Sequence, residues 1–214
     1  MIILCPLEFE RRALQPLARR LGWDLACTGP VRGCADWIER ARLPRGASVV
    51  LAGVAAGLVA PAAPGTPWAI GTVVPAESSL AVLRPSWCVP GLPTATLVCV
   101  AEPLLTLSSK ALHAARTGAS LADMESAHFA QAARRAGLRW AIVRGVSDGA
   151  HDTLPEQAMH WTDARGRTRL GAVVASVLRK PSLIPELVRL GRSSTRAMRA
   201  VAESLEHAHN EGLT

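Results

Sequence analysis

Over its 214 residues the chain lacks the cysteine patterns, apolar spans and repeats that would assign it to several large protein classes. Its five cysteines, Cys5, Cys27, Cys34, Cys88 and Cys99, are odd in number and contain no C-x-x-C spacing, which argues against a disulfide framework and a cysteine-ligated structural zinc. A reducing, cytoplasmic setting is the expectation. Among the histidines only His207 and His209 stand close enough to suggest shared ligation, and they fall on the C-terminal tail, so no metal is expected. The longest uncharged stretch, Gly46 to Ala76, is broken by Pro61, Pro64 and Pro67. Its unbroken part is shorter than the roughly 20 residues of a spanning helix. Residues Met1 to Leu7 are apolar but run straight into Glu8, Glu10, Arg11 and Arg12, without the basic and apolar regions of a signal peptide. Glycine and proline show no short period, which excludes collagen-like and solenoid architectures.

What is present is a sizeable apolar fraction, 49% hydrophobic against 19% charged, enough for one well-buried core. The formal charge of +7 is unevenly placed. Residues 165–199 hold nine cationic side chains against the single Glu186, and the remainder is close to neutral. The surplus therefore belongs to one C-terminal segment and not to a nucleic-acid-binding surface spread over the protein. Its arginines also lack interleaved aromatics, so no nucleic-acid partner is expected.

Hydrophobic patterning predicts a short strand over Ile2 to Cys5, then a helix over Glu8 to Leu21 with Leu14, Leu17 and Leu21 at helical spacing. Ser48 to Val54 reads as a strand running into a loop of small residues, Gly53 to Leu58, where a ligand can approach the backbone. Further strands are predicted at Trp68 to Val74 and Ala95 to Val100, and a helix from about Ser108 to Arg116 that Gly118 ends. Leu121 to Met124, Glu125 to Ala136 and Trp140 to Val146 then read as one β-α-β unit of parallel strands. Ligands of open α/β sheets lie outside the carboxyl ends of strands, which would bring Glu125 and Asp148 to one edge. From pattern alone the two acids are equally explained as a first-turn helix residue and a turn residue beside Gly149.

The segments Ala122-Asp123-Met124-Glu125-Ser126-Ala127 and Val143-Arg144-Gly145-Val146-Ser147-Asp148-Gly149 resemble the paired signatures of the purine nucleoside phosphorylase and nucleosidase superfamily. Glu8-Phe9-Glu10 and the Gly53 to Leu58 stretch extend the resemblance. It implies a three-layer α/β/α fold around a central mixed, mostly parallel sheet, and cleavage of a purine N-ribosyl bond without a cofactor. Met124 and Glu125 would then bind the ribose, and a carboxylate there would stabilise the oxocarbenium-like transition state. Asp148 would protonate the departing purine as general acid, with Ser147 positioning it. Glu10, in preference to Glu8, would orient or deprotonate the attacking water. Gly53 and Val54 would lie at the nucleophile. Val54 departs from relatives that carry a serine there and has no side-chain donor. Inorganic phosphate remains a candidate co-substrate, held by backbone donors near Gly53 and an arginine such as Arg45, so water and phosphate are both open as nucleophile. Arg144 reads as a structural residue, while Phe129 or Trp161 is a candidate wall of the purine pocket.

Leu154-Pro155, Gly166-Arg167, Leu170-Gly171 and Leu178 to Pro181 through Pro185 to Leu190 resemble the narrower hopanoid-associated phosphorylase branch. That resemblance implies an adenosylhopane-like, lipid-linked nucleoside as substrate and leans towards phosphorolysis. Methylthioadenosine/S-adenosylhomocysteine nucleosidase and futalosine hydrolase are the alternatives, and a basic membrane- or nucleic-acid-binding module is the non-enzymatic one. The organisation expected is a catalytic domain over residues 1–180 and a basic amphipathic helix and tail over 181–214, with homodimerisation implied by the resemblance. In that helix Ser182 is the predicted cap and Pro185 the start, with Leu187, Leu190, Met198, Val201 and Leu205 on one face. Arg189, Arg192, Arg196 and Arg199 occupy the other, where they can pack solvated or rest on an anionic membrane.

Overall fold

Unbroken apolar runs such as Ser48 to Ala52 and Trp140 to Val143 form strands here because both faces of the sheet are covered. In the computed structural model, which describes residues 1–76 and 81–212, seven strands and six α-helices follow one another. They are β1 (Ile2–Cys5), α1 (Glu8–Leu21), β2 (Asp24–Cys27), α2 (Gly33–Ala41), β3 (Ser48–Gly57), β4 (Pro67–Pro75), β5 (Thr94–Cys99), α3 (Leu107–Thr117), β6 (Leu121–Asp123), α4 (Ser126–Arg135), β7 (Arg139–Asp148), α5 (Leu170–Arg179) and α6 (Ile184–Asn210). Alternate residues of the central strands enter two separate cores. Val49, Leu51, Trp140 and Ile142 pack with α2 and α4, whereas Val50, Ala52, Ala141 and Val143 pack with α1 and α6. That is the expected three-layer arrangement.

The sheet is mixed and mostly parallel, in the order β2-β1-β3-β6-β5-β4-β7, and β3 also pairs with β7, so five strands curl into a closed ring. One expectation fails at this point. Strand β6 runs antiparallel to β3 while β7 runs parallel to it, so β6 and β7 are opposed and do not form a parallel β-α-β unit. The acids nevertheless converge, because β3 is long and bent and its residue Ala56 pairs with Ala122 on one side and with Asp148 on the other. The predicted Gly53 to Leu58 loop is likewise strand as far as Gly57. Its small residues permit the crowded double pairing.

Helix α6 packs on α1 and β7, burying Ala197, Met198, Val201 and Leu205. Gly145 of β7 has no room for a side chain, since a Cβ there would meet Ala197 at 2.7 Å. Ser193 Oγ donates to the carbonyl of Ser147, tying the helix to the end of β7. The boundary expected after Lys180 falls at a short 3-10 turn, Pro181–Leu183, and the helix beyond shares the core of the residues before it. Leu183, not Ser182, stands at the helix N-cap, with Pro185 in the first turn. Arg189, Arg192, Arg196 and Arg199 are exposed, while Leu187 and Leu190 are only half-buried. Among the described residues no helix is long and apolar enough to cross a membrane.

Candidate active site

Glu10 stands one turn into α1, where its side chain returns to the start of its own helix. Oε2 accepts from the Leu7 backbone N–H at 2.8 Å and Oε1 from the Val54 N–H of β3 at 2.7 Å. Glu8 points elsewhere and pairs with Arg11 and Arg12 at the surface. Gly53 does not line the cavity described below. It is a packing residue, since a Cβ on it would lie 2.5 Å from both Glu10 Oε1 and Arg144 Nη1. Only a glycine leaves room for the carboxylate and the guanidinium side by side over β3.

Arg144 of β7 is fully buried and organises three carboxylates. Its Nη2 donates to Asp123 Oδ2 and to Glu125 Oε2, the latter at 3.3 Å, while Nε and Nη1 have no hydrogen-bond partner. Burial alone would lower its pKa, but Asp123, Glu125 and Glu10 together hold it above the ordinary arginine value. Asp123 also accepts from the backbone N–H and hydroxyl of Ser126, satisfying the N-terminus of α4 and fixing where Glu125 begins that helix. Glu125 Oε1 accepts from the Val31 N–H at 3.1 Å.

Burial pushes Glu10 up to about 8 in spite of Arg144 and its two backbone donors. Glu125 is raised to about 7, by burial first and by the neighbouring Asp123 second.

Asp148 ends β7 at a β-bulge, where the pairing with β3 passes from Ala55–Val146 to Ala56–Asp148 and leaves Ser147 as the extra residue. The bulge turns two consecutive side chains to the same side, which a regular strand cannot do. Ser147 Oγ donates to Asp148 Oδ1 at 2.6 Å. On the other oxygen sits Lys110 of α3, fully buried, whose ammonium donates to Asp148 Oδ2 at 2.5 Å and to the carbonyls of Gly149 and Asp152 at 2.8 and 2.9 Å. All three of its donors are used.

These groups open on one cavity of about 240 Å³, lined by Glu10, Val54, Met124, Glu125, Ser147 and Asp148, with Asp123 and an apolar remainder that includes Val100, Leu104 and Leu154. Six of the seven sequence-predicted site residues thus line it, and Gly53 supports it from behind. Among the described residues no arginine, lysine or histidine lines the cavity, and four acidic side chains do. Both expected phosphate contacts fail. The Val54 N–H is occupied by Glu10, and Arg45 packs against Gly137 at the opposite end of β3 and β7. Phe129 lies in the core edge-on to Trp140, and the indole of Trp161 donates to Ser176, so neither walls the cavity. Lys110 escaped sequence reasoning because it is a lone lysine within a helix, and no spacing links it to a residue 38 positions later. Among the described residues no cluster of three or more His, Cys, Asp or Glu side chains is arranged to hold a metal ion.

A buried cluster of acids at the convergence of strand ends, in a mixed sheet flanked by helices, defines an α/β protein with a small, acid-lined cavity. Solved structures share this architecture over nearly the full chain. Native futalosine hydrolase of Helicobacter pylori superposes with a TM-score of 0.70 at 12% identity, covering 98% of this chain and 97% of that one. The 5′-methylthioadenosine/S-adenosylhomocysteine nucleosidase of H. pylori, complexed with a pyrrolidine inhibitor, gives 0.68 at 12% over 98% and 97%. A putative nucleosidase of the same kind from Francisella philomiragia gives 0.68 at 14% over 98% and 97%. No curated protein sequence matches the chain. Residues 90–179, which hold Lys110, Met124, Glu125, Ser147 and Asp148, match the family model of the phosphorylase superfamily. The match covers the segment that carries most of the site, and the solved structures share the fold of the whole chain.

Proposed function

We propose that the protein hydrolyses a purine N-ribosyl bond, with Glu125 and Met124 at the ribose, Asp148 at the purine and Glu10 at the water. The observation that carries this reading is the convergence of Glu10, Glu125 and Asp148 on one cavity whose described lining holds no arginine, lysine or histidine. Positive charge developing on a ribosyl ring is stabilised by a carboxylate there, whereas a phosphate dianion meets no cationic side chain in the described lining and finds the Val54 N–H taken by Glu10. The electrostatics therefore favour water over phosphate, against the lean of the hopanoid-associated resemblance.

Proton movement follows the hydrogen bonds. Water attacks the anomeric carbon as the bond to the purine nitrogen breaks. Glu10 in its ionised form accepts the water's proton, and the base takes one from Asp148, which as an acceptor on both oxygens first draws it from the Lys110 ammonium. Lys110, hydrogen-bonded to the opposite oxygen of Asp148, is placed to resupply it, and Ser147 fixes the carboxyl plane. A neighbour supports the assignment of an aspartate here, since an aspartate-to-asparagine variant of the H. pylori nucleosidase was crystallised with 5′-methylthioadenosine in its active site.

For the substrate we favour an adenosine-type nucleoside carrying an apolar group on the ribose, such as an adenosyl lipid, with methylthioadenosine and futalosine as the competing substrates. A homodimer, and contact of the basic C-terminal segment with a membrane, belong to the same reading. The test is product analysis in phosphate-free buffer, with adenosine, methylthioadenosine and an adenosyl lipid side by side. Free base with a free reducing sugar supports hydrolysis. Turnover that requires phosphate and yields a ribosyl 1-phosphate refutes it, and absence of base release from every nucleoside refutes the enzyme reading altogether.

A further inference from the structure

Helix α5 carries an apolar line that no described residue covers. Leu170, Val174 and Leu178, spaced by one turn, are 72%, 56% and 76% exposed, and the helix has no buried residue at all. Side chains at i, i+4 and i+8 lie on one face. The helix is nonetheless held to the body, for Trp161 Nε1 donates to Ser176 Oγ at 3.1 Å and the Arg169 N–H donates to the Trp161 carbonyl at 2.7 Å. Arg165, Arg167 and Arg169 lead into it, Arg179 ends it and Lys180 follows, all exposed. Residues 164–185 contain no acid.

We propose that α5 is a docking helix for an anionic lipid surface, with the Leu170–Val174–Leu178 line entering the interfacial region and the five flanking cations meeting lipid phosphates. Charge decides between the occupants. Asp163 and Glu186 at the two ends leave the face a surplus of cations, so a second copy seated on it would set like charge against like. A lipid bilayer supplies apolar depth and negative charge together, which is what an apolar line bracketed by cations requires. The interaction surface thereby falls on α5, which lies before the C-terminal helix where the sequence alone had placed it.

The position of α5 deepens the proposed function, although docking itself does not rest on it. The turn before the helix touches the cavity wall, because Gly166 accepts from the Glu8 N–H at 2.8 Å and packs on Pro6, which with Leu7 lines the cavity. Trp161, beneath the helix, follows the cavity-lining Ala158. A docked α5 thus holds one wall of the cavity at the lipid surface, where an apolar substituent on the nucleoside would reside.

The test is co-sedimentation of the full chain with vesicles of phosphatidylcholine alone and of phosphatidylcholine mixed with phosphatidylglycerol, at low and high salt. Native protein is expected on the mixed vesicles only, released by salt. The variant Leu170→Ser/Val174→Ser/Leu178→Ser is expected to lower the partition coefficient by roughly a hundredfold, with unchanged melting and unchanged base release from a soluble nucleoside. Should that variant fold poorly, Arg179→Glu/Lys180→Glu decides the question, with a loss of about tenfold or more confined to the mixed vesicles. Equal binding of native protein to both vesicle types, no binding to either, or unchanged binding by the variants overturns the proposal. A lipid-free native dimer that the triple-serine variant dissociates also overturns it, because a second copy then covers the face. Base release from soluble nucleosides is read separately, so failure of docking and failure of the enzyme reading are distinguishable.

Discussion

Raising the pH from about 5 to about 8.5 is expected to destabilise this protein, and Glu10 is the principal cause. In the unfolded chain Glu10 titrates near 4.5, and in the folded protein near 8. Between those values the folded state holds a proton that the unfolded state has released. Stability contributed by this group is therefore fully present below about 4.5 and is lost as pH rises through 8. Glu125, raised to about 7, acts in the same direction. At about 1.4 kcal/mol per pH unit the Glu10 shift alone sets a ceiling of about 5 kcal/mol. Asp123, Glu125 and Glu10 compete for the one Arg144, so their protons are not independent, and a realised loss of about 2–4 kcal/mol is expected. For a chain of this size that corresponds to a fall in Tm of roughly 5–15 °C. Glu8, held down to about 2 by Arg11 and Arg12, contributes only on the acid side of this window.

The net charge of +7 declines over the same range and favours folding, which makes Glu10→Gln the necessary control. In that variant the amide cannot accept from both the Leu7 and Val54 N–H groups, so Tm at acid pH should fall by the cost of an orphaned donor, about 1–3 kcal/mol. The slope with pH should largely vanish. Melting of both proteins followed by circular dichroism across the range checks this. A native Tm that is flat or rises with pH, in parallel with the variant, would refute the burial argument. Because the base form of Glu10 grows as pH passes 8, hydrolytic turnover should increase over the interval in which stability declines.

Asp148→Asn is expected to retain the fold, since an asparagine oxygen can still face Lys110, while turnover measured by adenine release drops about two to four orders of magnitude. Lys110→Met leaves a buried carboxylate and two carbonyls without their donor, so a loss of about 3–5 kcal/mol in denaturant unfolding is expected, together with impaired turnover. Gly53→Ala places a methyl against both Glu10 and Arg144, so steady-state kinetics should worsen more than a core Gly-to-Ala change would explain; wild-type kinetics would show that their placement over β3 is dispensable. Glu125→Gln should weaken use of a ribonucleoside far more than of its 2′-deoxy analogue, and independent, multiplicative losses from the two changes would exclude direct pairing of the hydroxyl with the carboxylate.

Much of this site was legible in the chain, because the functional acids sit where local patterns end. Glu125 follows a short apolar strand, Asp148 closes a long one, and Glu10 lies in the first turn of an amphipathic helix whose bounds, Glu8–Leu21, agree with the pattern. Such endings are written by hydrophobic periodicity and by glycines such as Gly118 and Gly137, which take the left-handed conformation that stops a helix. The strand β2 and the helices α2 and α5 were not anticipated. Strand β2 has only four residues, and α5 is apolar without a buried face, so neither offers a period that separates helix from strand.

What the sequence determined by itself is therefore the inventory: a mixed α/β chain, a dense run of cations over residues 165–199, and acids poised at element ends. Tertiary structure decided their relations. The reversal of β6 against β7, the double pairing of Ala56, the bulge at Ser147 and the seating of Lys110 on Asp148 all depend on contacts between residues distant along the chain. Periodicity carries no information about partners, whereas strand register and burial fix both geometry and charge. Burial likewise raises Glu10 and Glu125, a shift that periodicity does not encode because it depends on what covers each carboxyl.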